Sequence, residues 1–460
     1  MKRTFTQLIA CALALSLTPA WSQDVAAVKP AAVQSGTAPA VTPPSETETK
    51  LAEQLFEEGR KLFFQGQYAE SIAKLAKAVE TNPSKTSYKL QLAKAYRYNK
   101  QDDKALDVLQ ALVAGNPDHV EAAVELAELL SPQKQPDRVI SVLQPLLKYK
   151  HDYPIYHMLA EAYYQKEQYD KARDHYEEAI KLNPRSGSDF YQLGNIYLAQ
   201  KRFAKAAEVY ERANLLGVSS GVFHFKLASV YFNLHNYLGT IGTSEVIGGV
   251  EGQLKGDLYL LSAVPGKKNT FYAAGPRSAA YQVVKAQDLG IDIFDIRFLE
   301  AQIWLSARRY DKADAIYAKL QADVKKEDQG LFWFQWAQTA LGRNDLEQYL
   351  ARLQKAIAAD PDIYKPMLAD AYLTIANRHH QRGETKEYLA SLALGVATNP
   401  LSARLHLTLG DAYWQASLRD KAIEQYRLVL ELEANHSQRV RLLNRIRGQE
   451  DIVGAATAAK

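Results

Sequence analysis

The chain has 460 residues, a single cysteine and a formal net charge of +4, with 23% of its residues charged and 47% hydrophobic. That length supports several domains or one long array. One cysteine excludes a disulfide framework. The charge is spread along the chain and forms no basic stripe interleaved with aromatics, which argues against nucleic acid as a partner.

The N-terminus reads as a processing segment. Met1-Lys2-Arg3 is basic, Leu8 to Leu17 is apolar, and Pro19-Ala20-Trp21-Ser22 places small residues where a secretory leader is cut. Residues 1–22 are therefore expected to be a signal peptide, and the protein to be exported, into a periplasm. The run is too short to span a bilayer, and no later segment is long and apolar enough to do so. Leu8-Ile9-Ala10-Cys11 resembles a bacterial lipobox, so a lipid-anchored envelope protein through Cys11 is the subordinate alternative. Residues 23–50, rich in Ala, Pro, Ser and Thr, read as a disordered linker.

From about residue 52 a spacing of 33 or 34 takes over. Small residues recur at Gly59, Ala93, Ala127, Ala160, Gly194 and Ala228, each followed three residues on by Leu or Tyr. A second small residue follows after twelve positions at Ser71, Ala105, Ala172 and Ala206, with Thr240 less ideal. Ala301, Ala337, Ala376 and Gly410 continue the first position, although Tyr349 and Tyr388 stand at the second in two units. Proline after Asn82, Asn116, Asn183 and Asn399 ends the second helix of a unit. Phe190, Leu193, Gly194 and Tyr197 share one face of a first helix, and Phe203, Ala206, Tyr210 and Ala213 one face of a second.

This pattern resembles the tetratricopeptide repeat. The resemblance implies an all-α, right-handed superhelical solenoid of about ten helix pairs. Such arrays are scaffolds far more often than enzymes. Units one to five and the first helix of unit six cover residues 51–237. The second helix of unit six and units seven to ten cover 278–436. Residues 437–460 form a capping helix and a frayed tail.

Unit six is interrupted. Six glycines between Gly239 and Gly256 disfavour a helix, and the repeat phase returns at Ala279. Residues 238–277 are thus expected to be an insertion. Its apolar runs Leu258–Val264 and Thr270–Ala273 flank a Pro-Gly turn, which suggests a β-hairpin. Leu258, Leu260, Phe271 and Tyr272 are its candidate contact residues. The insertion either hooks a partner or clips back on its own solenoid.

No catalytic arrangement emerges. The chain lacks His-Glu-x-x-His, a Gly-x-Ser-x-Gly elbow and a phosphate loop. His379, beside His380, falls on a core position, so packing is the simpler role. No metal site and no cofactor are expected. In the repeat family the first helix lines the concave face, and two positions look into the groove: three before and one after the first small residue. The family's clamp for acidic chain termini uses Lys and Asn there. Arg60 and Lys94 are basic, but the amides are absent from those units. Further along, apolar and amide or hydroxyl residues alternate: Tyr191 with Asn195, Phe225 with Ser229, Phe298 with Gln302, Phe334 with Gln338, and Leu373 with Asn377. Amides both donate to and accept from a peptide backbone. The expected function is a non-catalytic envelope scaffold that binds a partner protein or extended peptide in this groove. A polysaccharide-export or carbohydrate-binding accessory is the alternative, and an enzyme of unrecognised type the third reading.

Overall fold

The computed structural model describes residues 44–238, 241–243, 254–255, 258–263 and 270–448. The leader, most of the linker, Cys11 and the end of the tail lie outside the described residues. The chain divides between Phe223 and His224 into two compact units.

Unit one holds ten helices and the start of an eleventh. They are α1 (Glu46–Phe64), α2 (Tyr68–Thr81), α3 (Thr86–Tyr98), α4 (Asp102–Gly115), α5 (Val120–Leu130), α6 (Pro136–Leu143), α7 (Tyr153–Gln165), α8 (Tyr169–Leu182), α9 (Gly187–Ala199) and α10 (Phe203–Leu215). Helix α11 (Gly221–Asn233) straddles the division. Unit two continues with four short strands and then α12 (Ala279–Asp288), α13 (Phe294–Ser306), α14 (Tyr310–Leu320), α15 (Gln329–Gly342), α16 (Leu346–Ala359), α17 (Pro361–Gln381), α18 (Thr385–Thr398), α19 (Ala403–Gln415), α20 (Arg419–Leu432) and α21 (Arg439–Ile446). Odd-numbered helices up to α19 carry the first small residue, and α14, α16, α18 and α20 pack back on the helix before them.

The first helix starts five residues earlier than the linker reading places it. Ser45 and Glu48 form a capping box that satisfies two orphan amides, so the helix nucleates at Glu46.

One side chain explains the period. Sixteen residues after the first small position, the second helix presents a large residue that is almost wholly buried: Leu75, Leu109, Leu143, Tyr176, Tyr210, Tyr317, Leu353, Leu392 and Tyr426. It fills the space left by the small residue. A Cβ on Gly194 would sit 2.4 Å from the Tyr210 ring, on Gly410 2.7 Å from Tyr426, and on Gly59 2.7 Å from Leu75. The hydroxyl of Ser71 also donates to the Gly59 carbonyl across the pair, at 2.8 Å.

The turn within each pair is as regular. Seven residues after each small position the backbone enters the left-handed region, at Gly66, Lys100, Lys134, Glu167, Lys201, His235, Arg308, Asn344, Gly383 and Ser417. The next amide reaches back five residues, as from Arg202 to Tyr197 (2.8 Å), Asn236 to Tyr231 (2.9 Å) and Leu418 to Tyr413 (2.9 Å). This is the Schellman closure of a helix end. The second helix of several pairs stops at an extended residue, with φ of −138° at Asn82, −132° at Asn183 and −133° at Asn399. The proline that follows each of these asparagines enforces that conformation.

Between α11 and α12 lie β1 (Ile241–Thr243), β2 (Leu254–Lys255), β3 (Leu258–Ala263) and β4 (Thr270–Ala274). They form an antiparallel sheet in the order β1-β4-β3-β2. Leu258 and Leu260 lie on β3, and Phe271 and Tyr272 on β4, with Phe271 opposite Ala263 and Tyr272 opposite Ser262. The register shifts between Leu260 and Ser262. The chain on either side of this sheet is tied together: the amides of Ala279 and Ala280 donate to the carbonyls of Asn236 (2.8 Å) and Tyr237 (3.1 Å).

Two substitutions test this packing. Gly194→Ala drives a methyl into the Tyr210 ring and should cost about 1–3 kcal/mol in a urea melt. Lys201→Gly removes a left-handed strain of roughly 1–2 kcal/mol against an entropic penalty of about 0.5–1, so its melt should move up slightly or stay in place. A stabilised Gly194→Ala would refute the close approach.

Candidate functional site

The candidate site is the face built by the first helices, and each unit presents its own stretch. In unit one the polar residues on this face are largely consumed by one another. Lys94 on α3 pairs with Glu121 (2.6 Å) and Glu125 (3.3 Å) of α5. Arg97 pairs with Glu125 (2.7 Å) and Glu128 (2.6 Å). His157 on α7 places Nδ1 2.6 Å from Oδ1 of Asp189 on α9. Successive first helices are thus laced together at their polar positions.

Tyr191 and Asn195 on α9 belong to the same lacing. The Tyr191 ring lies 6.0 Å from that of Tyr210 and 5.9 Å from that of Phe223. Asn195 is buried, accepts a 2.7 Å hydrogen bond from the Tyr210 hydroxyl and donates to Gln192 at 2.7 Å. Burial holds the Tyr210 hydroxyl well above its ordinary pKa, so it stays a donor. The signal for this role was available: a tyrosine at the buried position of the second helix brings a hydroxyl to the polar position of the first.

That pairing recurs with variations. Tyr426 donates to Asp411 at 2.7 Å. Tyr317 instead donates to Gln335 of α15 at 3.0 Å, and Gln302 keeps a buried Oε1 with no hydrogen-bond partner among the described residues. The Tyr176 hydroxyl is likewise buried without a partner.

In unit two, Phe225 is half-buried, and Ser229 turns its hydroxyl onto the Phe225 carbonyl at 3.1 Å. Phe298 is half-buried against Phe294 (5.6 Å, stacked), Tyr317 (5.9 Å) and Phe332 (6.2 Å). Phe334 is half-buried beside Tyr364, with rings 5.3 Å apart. Gln338 is half-buried, and its side chain bonds the Tyr349 hydroxyl, which burial raises and this bond lowers. Asn377 is exposed. The face of α13, α15 and α17 therefore presents partly exposed apolar residues, Phe298, Phe334 and Leu373, followed by amides, with availability to solvent increasing from Gln302 through Gln338 to Asn377.

Two further clusters were not anticipated from sequence. Asp314 on α14 accepts from Trp336 Nε1 (2.7 Å), Thr339 Oγ1 (2.9 Å) and Arg352 Nη1 (2.6 Å). Burial works to raise its pKa, but these donors outweigh burial and hold it below the usual value. The Arg352 guanidinium also lies 4.2 Å from the centre of the Trp336 ring. At the far end, Arg441 and Arg445 of α21 reach Asp411 at 2.9 and 2.8 Å, so the last helix occupies the polar position of the last pair. His379 is held by Glu384 at 2.5 Å. Among the described residues no group of three His, Cys, Asp or Glu is placed to hold a metal ion, and no helix is long and apolar enough to cross a membrane.

Two phenols at the same position predict opposite outcomes. Tyr210→Phe removes the hydroxyl from which the buried Asn195 oxygen accepts and should cost about 1–2 kcal/mol. Tyr176→Phe removes a hydroxyl that lacks a partner and should be neutral or stabilising in the same denaturant melt.

Residues 403–436 match the tetratricopeptide repeat model, and residues 68–248 match the model of the C-terminal ARM domain of tetratricopeptide repeat protein 21. Comparison with curated proteins finds no match. Among solved structures, MamA from Desulfovibrio magneticus RS-1 is 20% identical over 37% of this chain and 94% of that one, with a TM-score of 0.34. PilF of Pseudomonas aeruginosa is 14% identical over 41% of this chain and 87% of that one, with a TM-score of 0.37.

Proposed function

We propose that this chain, a tetratricopeptide repeat protein, is a non-catalytic scaffold that holds an extended polypeptide along the first-helix face of its second unit. The observation that carries the reading is the run of half-buried apolar residues (Phe298, Phe334 and Leu373) and increasingly open amides on α13, α15 and α17. Phe298 and Phe334 offer apolar surface at low entropic cost. Asn377 offers a donor and an acceptor, and Gln338 the part of its amide not taken by Tyr349, which suits a peptide main chain. Unit one supports a different role, because Lys94, Arg97, His157 and Asn195 are already engaged. It stiffens the array instead of recruiting the ligand.

The count of ten helix pairs belongs to the same proposal, and the recurrence of the left-handed turn residue supports it. So does the reading of 238–277 as an excursion inside the sixth pair. Its flanks meet through the Asn236 and Tyr237 carbonyls, so the excursion leaves and rejoins the chain at one helix–helix turn. The basic start, apolar run and small residues of Met1–Ser22 support export to the cell envelope as the place where the scaffold works.

Binding to arrayed peptides and arrayed glycans tests the proposal. The wild-type protein should retain peptides. Gln338→Ala and Asn377→Ala should each weaken retention by about 0.5–1.5 kcal/mol without shifting the melt. Equal affinity in the double variant, or retention of glycans alone, would reject the peptide groove. Replacing 239–275 by a short Gly-Ser linker should keep the helix signal in circular dichroism. A loss of helix beyond the excised residues would mean that the sixth pair needs the segment to fold.

A further inference from the structure

The junction between the fourth and fifth helix pairs contains a group that the scaffold reading does not use. Asp189, in the first turn of α9, is wholly buried. Its Oδ1 lies 2.6 Å from Nδ1 of His157 on α7, while its Oδ2 has no hydrogen-bond partner among the described residues. A carboxylate out of water is costly unless it is paired and fully hydrogen-bonded. Here α7 supplies the compensation, from His157 and from the Tyr153 hydroxyl, which also acts on the carboxylate.

The surroundings limit what else can help. Tyr153, on the same helix as His157, stacks on the imidazole at 5.6 Å and sends its hydroxyl to Ser186 Oγ at 3.1 Å. Ser186 in turn accepts from the Asp189 amide at 3.4 Å. Glu161, one turn along α7, lies 3.7 Å from the other imidazole nitrogen. From α8, Tyr176 presents the edge of its ring to His157 at 6.4 Å, with its hydroxyl unpartnered. Two carboxylates and two phenols therefore surround one imidazole.

We propose that the His157–Asp189 contact is a proton-controlled latch between the fourth and fifth helix pairs: closed when the imidazole is charged, loosened when it is neutral. Protonated, His157 gives Asp189 a charge-assisted bond and offsets the buried charge. Deprotonated, it leaves that charge uncompensated beside a second carboxylate. The hydrogen bond to Asp189 raises the His157 pKa, burial opposes this, and the two carboxylates add to the rise. Stability held by the latch is thus full below the free histidine value of about 6.5 and is lost as pH rises through the higher folded value. His175, stacked on Tyr163 at 5.3 Å, is pushed down by burial and titrates with the opposite sign at lower pH. Because His157 and Asn195 lie on the same first-helix face, loosening the latch changes how α7 and α9 present it.

Hydrogen exchange on the full chain tests the latch. After correction for intrinsic rates, protection of the α9 amides should fall several-fold between pH 6 and 8.5. In His157→Gln, which keeps a donor but carries no charge, protection at pH 6 should match the wild type at pH 8.5 and stay flat. Flat wild-type protection, or a fall that persists in the variant, overturns the proposal. Should the variant fail to fold, the imidazole titration of wild-type His157 followed by NMR decides: a midpoint above 6.5 supports the latch, and one at or below it ends the idea. Neither readout depends on whether a peptide binds in unit two.

Discussion

Everything regular in this molecule follows from one contact: a large side chain of a second helix lying against a small residue of the first. Tyr210 over Gly194, Tyr426 over Gly410 and Leu75 over Gly59 leave no room for a methyl group. The contact fixes the separation of the two helices in a pair. The left-handed turn residue then fixes the angle at which the chain reverses. Neither helix of a pair could bury its apolar stripe alone, so the contact makes the pair, and not the helix, the unit that stacks.

The same contact divides the polar chemistry of the array. Tyr210 and Tyr426 bring a hydroxyl to the polar position of the first helix and recruit Asn195 and Asp411, whereas Tyr317 turns to Gln335 and the Tyr176 hydroxyl has no partner among the described residues. Where the knob is leucine, the knob brings no hydroxyl and the polar residue is left to other uses. It forms ion pairs at Lys94 and lies open at Asn377. Whether Asn195 and Asp411 are drawn inward is therefore decided fifteen residues away.

This explains what was legible in the sequence and what was not. The period could be read because Gly59, Ala93, Gly194 and their counterparts are required by packing, which leaves a mark in residue type. The helix start at Glu46 was also readable, in Ser45 and Glu48, but the Pro- and Thr-rich composition upstream concealed it. The turns were half visible. Gly66, Asn344 and Gly383 are residues that favour a left-handed backbone, whereas Lys100, Glu167, Lys201 and Arg308 adopt it under the pressure of packing. The groove was the least legible part. An amide at the right register declares that it can form hydrogen bonds, not with whom, so Asn195, Gln302 and Asn377 looked alike and occupy three different environments. The Asp314 and Asp411 clusters were hidden because their partners lie 22 to 38 residues away and follow no single offset.

The last helix constrains how such an array can change length. Repeats that touch only their neighbours can in general be duplicated or lost without redesign. Here α21 is fastened by Arg441 and Arg445 to a carboxylate one pair back, at Asp411. Of the residues at that position in the other pairs, only Glu128 and Glu161 are acidic. A unit copied in between from elsewhere in the chain would strand two arginines against an amide, a hydroxyl or a cation in most cases. Growth by duplication is therefore open in the interior and restricted at this end, and the aspartate marks the point where the array stops.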